Sequence, residues 1–572
     1  MAERASAVVS APDDARDAVA AGRTVSDAVV EMLVGLGIRE AFGIIGGAIA
    51  PFCDVLGRAG CPRLFAMRHE GAAAFAAAEA SLAASRPTLV FTTTGPGLTN
   101  ALTGVCAART EGARVLVVCG ATSAAQRGRG AVQETSRHGL AIDAVGGLFD
   151  LAVTVESAAE LPALANRLAY GFAKPAGFVA LVALPLSLQR ALATEPLVVP
   201  RVATLVPRAG ADAVAGVVDA LAEPFAIWAG YGARGAARQV RALAERTGSR
   251  VLCTPRAKGV FPERHPLFAG VTGFGGHAAV EEMMERERPR HVLVLGSRLG
   301  EYSSIWDPRL VPARGFIHVD VDERAFAAAY PDVPTRPVLA DIGAFLDEVL
   351  AQLPDVRVTP SPAAAASVSL VARPGPVRPQ VLMDVIQRVV IDGTDAIVMA
   401  EPGNSFAWTN HHLRFPSPRY RMSGYWASMG HMVTGAVGAS VATGRQTVVV
   451  TGDGSMLMLN ELSSAASYGA RIVWIVLNDG RFGITEAGMS AQGFTPIETR
   501  FPKCDFAALA RAVGANGMRV TSELELTAGV EAAMRSHGPF VLDVDIDVAE
   551  RAPFLRRIQA LSAMGAAPGG RS

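Results

Sequence analysis

The sequence predicts an α/β protein built as three doubly wound parallel-sheet domains. Three observations carry that expectation. Helical apolar patterns alternate with short apolar strands from about Thr24 onward, the alternation restarts near Phe225 and again near Ala396, and a proline-alanine stretch beginning Pro360-Ser361-Pro362-Ala363 parts the last two sets. At 572 residues the chain is too long for one core and has room for about three domains of 100 to 200 residues each.

In the first set, helical patterns at 28–36 and 72–82 flank strands at 41–44, 88–91 and 115–118. The second set has strands at 225–228, 251–253, 292–295 and 317–321, and the third at 396–399, 447–451 and 472–477. These place domains at 24–195, 205–355 and 381–548. Residues 356–380 are expected as a linker, because proline and small residues build no core, and 1–23 and 549–572 as tails.

The 53 basic and 53 acidic residues cancel, so no global field draws the chain to nucleic acid or an anionic membrane, and small molecules are the expected partners. Mean hydropathy is +0.29, yet the apolar runs stop short of the roughly 18 residues of a membrane span. Six cysteines without a Cys-x-x-Cys pair read as reduced core thiols. Residues 1–23 lack the apolar stretch of a secretory signal, which points to the cytoplasm.

The most informative segment is the strand Thr447–Thr451, which runs into Gly452-Asp453-Gly454-Ser455. Glycines stand there where the backbone turns tightly beside a ligand at a strand's carboxyl end. Leu459, Leu462 and Ala466 follow at helical spacing up to Gly469, predicting one short helix. The next strand delivers Asn478-Asp479-Gly480-Arg481 to the same edge. A diphosphate held by glycine amides needs a hard cation, and Mg²⁺ takes carboxylate and carbonyl oxygens. Asp453 is the first candidate ligand, Asp479 the second with Asn478 as its alternative, and a main-chain carbonyl near Arg481 the third. The bland reading of Gly-Asp-Gly is a tight turn.

Gly-Asp-Gly-Ser followed by Asn-Asp after an apolar strand resembles the signature of thiamine diphosphate enzymes. Phe42-Gly43-Ile44-Ile45-Gly46-Gly47 and Arg68-His69-Glu70-Gly71 are similar to the pyrimidine-binding domain of the acetolactate synthase and pyruvate oxidase family. The resemblance spans about 24–547 and implies, in order, pyrimidine-binding, central and diphosphate-binding domains. It implies thiamine diphosphate with Mg²⁺, bound by Gly46, Gly47, Glu70, Gly403, Asn404, Ser405, Ala427, Met429, Gly452, Asp453, Gly454, Ser455 and Asp479. Glu70 is then the carboxylate that activates the cofactor's aminopyrimidine. Met429, in Ser423-Gly424-Tyr425-Trp426-Ala427-Ser428-Met429-Gly430, is the wedge beneath the bent cofactor, and the Ala427 carbonyl meets the aminopyrimidine. Thr93-Thr94-Gly95-Pro96-Gly97-Leu98-Thr99-Asn100 and Val132-Gln133-Glu134 match loops near the reacting centre, with Gln133 either a substrate contact or an exposed amide. The spacing from Asp453 to Asp479 is about one residue shorter than in acetolactate synthases.

The implied reaction decarboxylates a pyruvate-like 2-oxo acid and passes its acyl group to a carbonyl acceptor. Decarboxylase relatives carry a His-His pair in the first domain, whereas the segment from Gly128 to His138 holds only His138, which favours carboligation. Gly488 stands where acetolactate synthases place an acceptor-selecting tryptophan. Tyr425, Trp426 and His431 replace small or apolar residues around the wedge, so a specialised lyase or transferase is expected, with its acceptor chosen near 481–489 and by Tyr425 and Trp426. Glu486 and His431 are each either proton-transfer groups or structural. Gly273–His277 and Gly296–Arg298 occupy places where some relatives hold FAD, but relatives without flavin keep such loops. Lys258 either faces the active site or is structural. The family's cofactor lies between subunits, which implies at least a homodimer and more commonly a homotetramer. Competing readings are a simple decarboxylase, a flavin-dependent oxidase and a non-catalytic regulatory subunit.

Overall fold

A computed structural model describes residues 22–134, 145–193, 196–354, 370–554 and 558–559; the stretch at 360–366, His138 and most of both expected tails lie outside them. The chain forms three six-stranded parallel sheets with flanking helices, an α/β fold. The first sheet holds β1 (Glu40–Gly43), β2 (Arg63–Ala66), β3 (Thr88–Thr92), β4 (Arg114–Ala121), β5 (Leu151–Thr154) and β6 (Phe178–Pro185), in the order β2-β1-β3-β4-β6-β5. The second holds β7 (Phe225–Ala229), β8 (Val251–Cys253), β9 (Phe268–Val271), β10 (His291–Leu295), β11 (Phe316–Asp320) and β12 (Thr335–Leu339), ordered β12-β11-β10-β7-β8-β9. The third holds β13 (Ile397–Ala400), β14 (Tyr420–Met422), β15 (Thr447–Gly452), β16 (Ile472–Asn478), β17 (Asn516–Val520) and β18 (Phe540–Asp545), ordered β14-β13-β15-β16-β18-β17.

Each sheet starts in its interior. β1 lies between β2 and β3, β7 between β8 and β10, and β13 between β14 and β15, so the winding reverses beside each first strand. Carboxyl ends at such a reversal leave a crevice for a ligand. Gly46 and Thr93 follow one such pair of strands, Gly230 and Gly296 the second, and Glu401 and Asp453 the third.

The apolar runs are continuous because both faces of each sheet are covered. Val448 and Val450 face one core and Val449 the other, and Ile475 and Trp474 divide likewise on β16. One of these cores is shared: Phe42, Val90 and Val117 of the first sheet join Met399, Val449 and Trp474 of the third in a single cluster. The central sheet closes its own two faces separately. Two helices, Glu70–Ala84 and His431–Thr443, lie in the shared core and are buried along most of their length. Their alanines and glycines let the backbones approach closely. A Cβ at Gly438 would lie 1.8 Å from the Ala76 carbonyl oxygen. Gly438→Ala is therefore expected to destabilise the protein by about 1–3 kcal/mol or more through overpacking, read as a lowered denaturation midpoint at unchanged slope.

The structure departs from the sequence reading in three places. The helix expected up to Gly469 is two helices, Asp453–Met458 and Leu462–Tyr468. Leu459 turns extended between them, and the buried Glu461 carboxylate accepts from the Arg68 and His69 amides at 3.0 and 3.2 Å. The end of the expected linker is packed, because Glu523 accepts from the Arg373 and Arg378 amides. Part of the expected C-terminal tail is core, since Phe554 and Ile558 bury beside Phe274 and Phe406. All six cysteines are free; burial pushes the Cys119 thiol up to about 11. No helix among the described residues is long and apolar enough to cross a membrane.

Candidate functional site

The crevice between β13 and β15 is a cavity of about 100 Å³, lined by Gly403, Asn404, Ser405, Met429, Gly452, Asp453, Gly454, Ser455, Asp479 and Arg481 among others. Strand and turn geometry place each group. Asp453 follows the last residue of β15, nearly inaccessible, and its Oδ2 accepts from the Asp479 and Gly480 amides at 3.2 and 2.6 Å while Oδ1 accepts from the Gly454 amide at 2.8 Å. Burial and then the neighbouring Asp479 push the Asp453 carboxyl up to about 6. Burial also raises Asp479, against the Arg481 guanidinium, whose Nε lies 3.2 Å from Oδ2.

Consecutive residues at a strand end point to opposite sides, and this separates Asn478 from Asp479. Asn478 Nδ2 donates to Asp543 and to the Cys504 carbonyl at 2.7 and 2.8 Å, behind the cavity, whereas Asp479 lines it. Asn404 Oδ1 is buried without a hydrogen-bond partner among the described residues, and Asn404 lines the same cavity. A Cβ at Gly483 would lie 2.7 Å from Asn404 Nδ2 and 3.1 Å from Asp479 Oδ2, so glycine keeps this approach open. Two carboxylates at a glycine-lined crevice are hard-oxygen donors of the kind Mg²⁺ takes, and the Asn404 amide beside them is a polar group left without its full set of partners. No group of three His, Cys, Asp or Glu among the described residues is arranged for a metal, so a cation at Asp453 and Asp479 would need carbonyl, amide, water or phosphate oxygens besides. Arg481 lines the cavity, and its side chain reaches back to Asp479 and to the Val548 carbonyl.

Met429 sits in a segment bent twice. Ala427 adopts φ +49° and Gly430 φ +86°, a region costly for alanine, and the bends bring Met429 to the cavity wall. Glu70 opens the Glu70–Ala84 helix, 7 % exposed, and its Oε2 accepts from Asn100 Nδ2 at 3.1 Å. A Cβ at Gly97 would come 3.5 Å from Glu70 Oε1, so the Thr93–Asn100 loop wraps the carboxylate. Gln133, at φ +62°, lines a second cavity of about 580 Å³ with Gly47, Thr94 and Arg129. A Cβ at Gly46 would come 2.7 Å from Thr93, which packs the Gly46 turn against that loop. Among the described residues none lines both this cavity and the Asp453 cavity, so within one chain Gln133 and Asp453 face separate spaces, and Glu70 lines neither.

Several expected groups lie elsewhere. His431 is wholly buried in the shared core, its ring stacked on Phe75 at 4.6 Å and its Nε2 3.2 Å from Glu79, which also holds Arg421 at 2.8 Å; that packing removes it from the cavity. Glu486 pairs with Arg500 at 2.7 Å, and this bond holds its carboxyl below the usual range, which suits an ion pair and opposes proton donation. Tyr425 faces the central domain, its ring 5.9 Å from the Arg256 guanidinium and 5.6 Å from that of Arg298, while Trp426 is solvent-exposed. Lys258 is buried against Glu263 at 2.7 Å and the Asn410 carbonyl at 3.1 Å, a structural pair. The two flavin-candidate loops do not meet. Gly296, Ser297 and Arg298 line a cavity where the central domain meets Thr110, Glu111 and Gly112 of the first domain and Tyr425 of the third, but the Gly273–His277 loop packs on the Asn404–His412 helix, with Phe274 stacked on Phe406 at 5.1 Å.

Sequence reasoning passed over Glu401, Glu461, Trp408 and Asp543. The available signal was Glu401 itself, an acidic residue at the end of an apolar strand beside Pro402-Gly403.

Three family models match. They are described as the thiamine pyrophosphate enzyme N-terminal TPP binding domain (residues 23–141), central domain (213–349) and C-terminal TPP binding domain (401–544). The chain is similar, at 28 % identity over 560 residues covering 92 % of it and 98 % of the relative, to a Mycobacterium tuberculosis protein described as an acetolactate synthase large subunit. It is 26 % identical over 551 residues to the acetolactate synthase isozyme 1 large subunit of Escherichia coli (92 % and 95 % covered), and 26 % over 554 to an acetolactate synthase of Mycobacterium bovis (91 % and 87 %).

Proposed function

Since the chain belongs to the thiamine pyrophosphate enzyme family, we propose that it is a carboligase. It would remove CO₂ from a pyruvate-like 2-oxo acid and join the remaining acyl carbon to the carbonyl carbon of an acceptor, whose oxygen gains a proton. The observation that carries this reading is the convergence of Asp453, Asp479 and the orphaned Asn404 amide with Met429 on one cavity. When bound there, thiamine diphosphate supplies the carbon nucleophile for decarboxylation.

The chain's own residues have four tasks. Asp453, Asp479 and the Arg481 carbonyl hold Mg²⁺, and Gly403, Asn404, Ser405 and the Gly452–Ser455 turn receive the diphosphate. Met429, fixed by its two bends, would support the cofactor at the cavity wall, and the Ala427 carbonyl would accept from its aminopyrimidine. Glu70 would hold a proton at a pyrimidine nitrogen, and Gly46 and Gly47 would leave room for the ring. Gln133 contacts the substrate from the larger cavity. Glu70 does not line the Asp453 cavity of its own chain, which supports an assembly in which Glu70 of one protomer completes the site of another, at least a homodimer and in the fuller form a homotetramer.

The acceptor end supports a specialised carboligase. Gly488 lies on the Gly483–Ala491 helix, which buries no residue, and nothing lies within 4 Å of where its Cβ would be, so the acceptor meets an open wall. Purified protein with pyruvate, thiamine diphosphate and Mg²⁺ should release CO₂ and form an acyloin or a 2-hydroxy-2-acyl acid, resolved by mass spectrometry over a panel of acceptors. CO₂ with aldehyde alone would point to simple decarboxylation, a yellow protein passing electrons to an acceptor to an oxidase, and failure to bind the cofactor in calorimetry to a regulatory subunit.

A further inference from the structure

Glu401 is the first residue after β13 and is completely buried. Its carboxylate accepts three main-chain hydrogen bonds from the turn that follows Met429: Gly430 at 2.5 Å, Met432 at 2.8 Å and Val433 at 3.1 Å. The His431–Thr443 helix has glycine as its N-cap and no side-chain cap of its own, so these orphan amides depend on a group from another strand. Through its main chain the same residue holds the opposite rim of the cavity. The Glu401 amide donates to the Val450 carbonyl at 3.0 Å, and Ser405 Oγ donates to the Glu401 carbonyl at 2.8 Å.

We infer that Glu401 is a positioning residue, which locks the Met429 wedge in register with the Gly403–Ser405 diphosphate loop. The inference deepens the carboligase reading and rests on it. Met429 lies between two left-handed residues, Ala427 and Gly430, and a segment so bent keeps its shape only if its ends are held. On the Gly430 side the holder is the Glu401 carboxylate. A glutamine at 401 offers one carbonyl oxygen, and its NH₂ would face an amide donor, so at least one of the three bonds is lost.

The carboxylate's environment gives the clamp a pH signature. Burial pushes Glu401 up to about 7, opposed by His431 and by the three amides. Other charges meet it through His431, which faces Glu79 and, beyond it, Arg421. The ionised form is the better triple acceptor, so the clamp tightens as pH rises through about 7.

The test compares full-length wild type, Glu401→Gln and Glu401→Asp by hydrogen-exchange mass spectrometry, cofactor calorimetry and steady-state kinetics. In Glu401→Gln the amides of Gly430, Met432 and Val433 should exchange faster. Affinity for Mg²⁺-thiamine diphosphate should stay within about three-fold, because Asp453 and Asp479 are untouched. The kcat should fall by up to about 10²-fold, the scale of a small misplacement at a reacting centre, with KM for the 2-oxo acid little changed and any acid limb of kcat near pH 7 lost. Glu401→Asp keeps the charge on a shorter arm and should lie between; its graded loss decides the matter if the glutamine variant does not fold. Unchanged exchange at those amides, or faster exchange with unchanged kcat, overturns the inference. If wild type shows no cofactor-dependent decarboxylation, the carboligase reading and the positioning role built on it fall together, while the exchange data still report whether the carboxylate holds the turn.

Discussion

Glu70→Gln should lower kcat by about 10³-fold and leave Mg²⁺-thiamine diphosphate affinity within a few-fold. Glutamine matches glutamate in shape, and its oxygen can still accept from Asn100 Nδ2, so the Thr93–Asn100 loop should keep its place around residue 70. What is lost is the charge that holds a proton at the pyrimidine, and a positioned general acid-base group contributes about 10²- to 10⁴-fold. In the proposed site the diphosphate would be anchored in another domain, through a cation held by Asp453 and Asp479, so binding should survive. Calorimetry alongside steady-state decarboxylation reads both quantities; undiminished turnover would remove Glu70 from the mechanism. Mixed dimers of Glu70→Gln and Asp453→Asn chains carry the argument further. If Glu70 serves the partner's site, such a dimer keeps one intact site, and mixing the two inactive variants should restore part of the activity.

Asp453→Asn should cost more at the anchor. Removing one charge from a buried ionic contact costs about 3–5 kcal/mol, roughly 10²- to 10⁴-fold in Mg²⁺ affinity. The wild-type pH dependence gives a second reading. Asp453 is pushed up to about 6, above the ordinary aspartate value of about 4. In the metal-free protein its stability contribution is therefore full below about pH 4 and is lost as pH rises through about 6, when the fold must carry two adjacent carboxylates. Mg²⁺ binds the ionised form, so the rise in Tm on adding Mg²⁺ and thiamine diphosphate should grow between about pH 5 and pH 7 and then level. Scanning calorimetry across that range measures it, and in Asp453→Asn most of the increment should disappear.

What could be read from sequence follows a physical division. The central strands β3, β15 and β16 are continuous apolar runs because helices cover both faces, and a run bounded by glycine or aspartate announces itself. The edge strand β17, Asn516–Val520, is polar and half exposed, so no run marks it. Asp453 was visible because Gly-Asp-Gly closes such a run. Glu461 and Glu79 were not, and Glu401 showed only as an acidic residue closing a strand, since their partners are main-chain amides or side chains on remote segments and nothing in a local pattern reports such a bond. The same limit misplaced Tyr425 and His431. Both adjoin Met429 in sequence, but one turns to the arginines of the central domain and the other into the core against Glu79. Glu486 looked free because Arg500 stands fourteen residues away (500 − 486 = 14).

The core shared by the first and third sheets has a consequence for how the chain is made. Synthesis delivers the apolar Glu70–Ala84 helix long before the His431–Thr443 helix that packs against it. From the end of β6 at Pro185 to the end of β18 at Asp545 is 360 residues (545 − 185 = 360), and the ribosome adds about 5–20 residues per second. For roughly 20–70 s the growing chain therefore presents one uncovered apolar helix face, while the central domain, which closes on itself, completes in the interval.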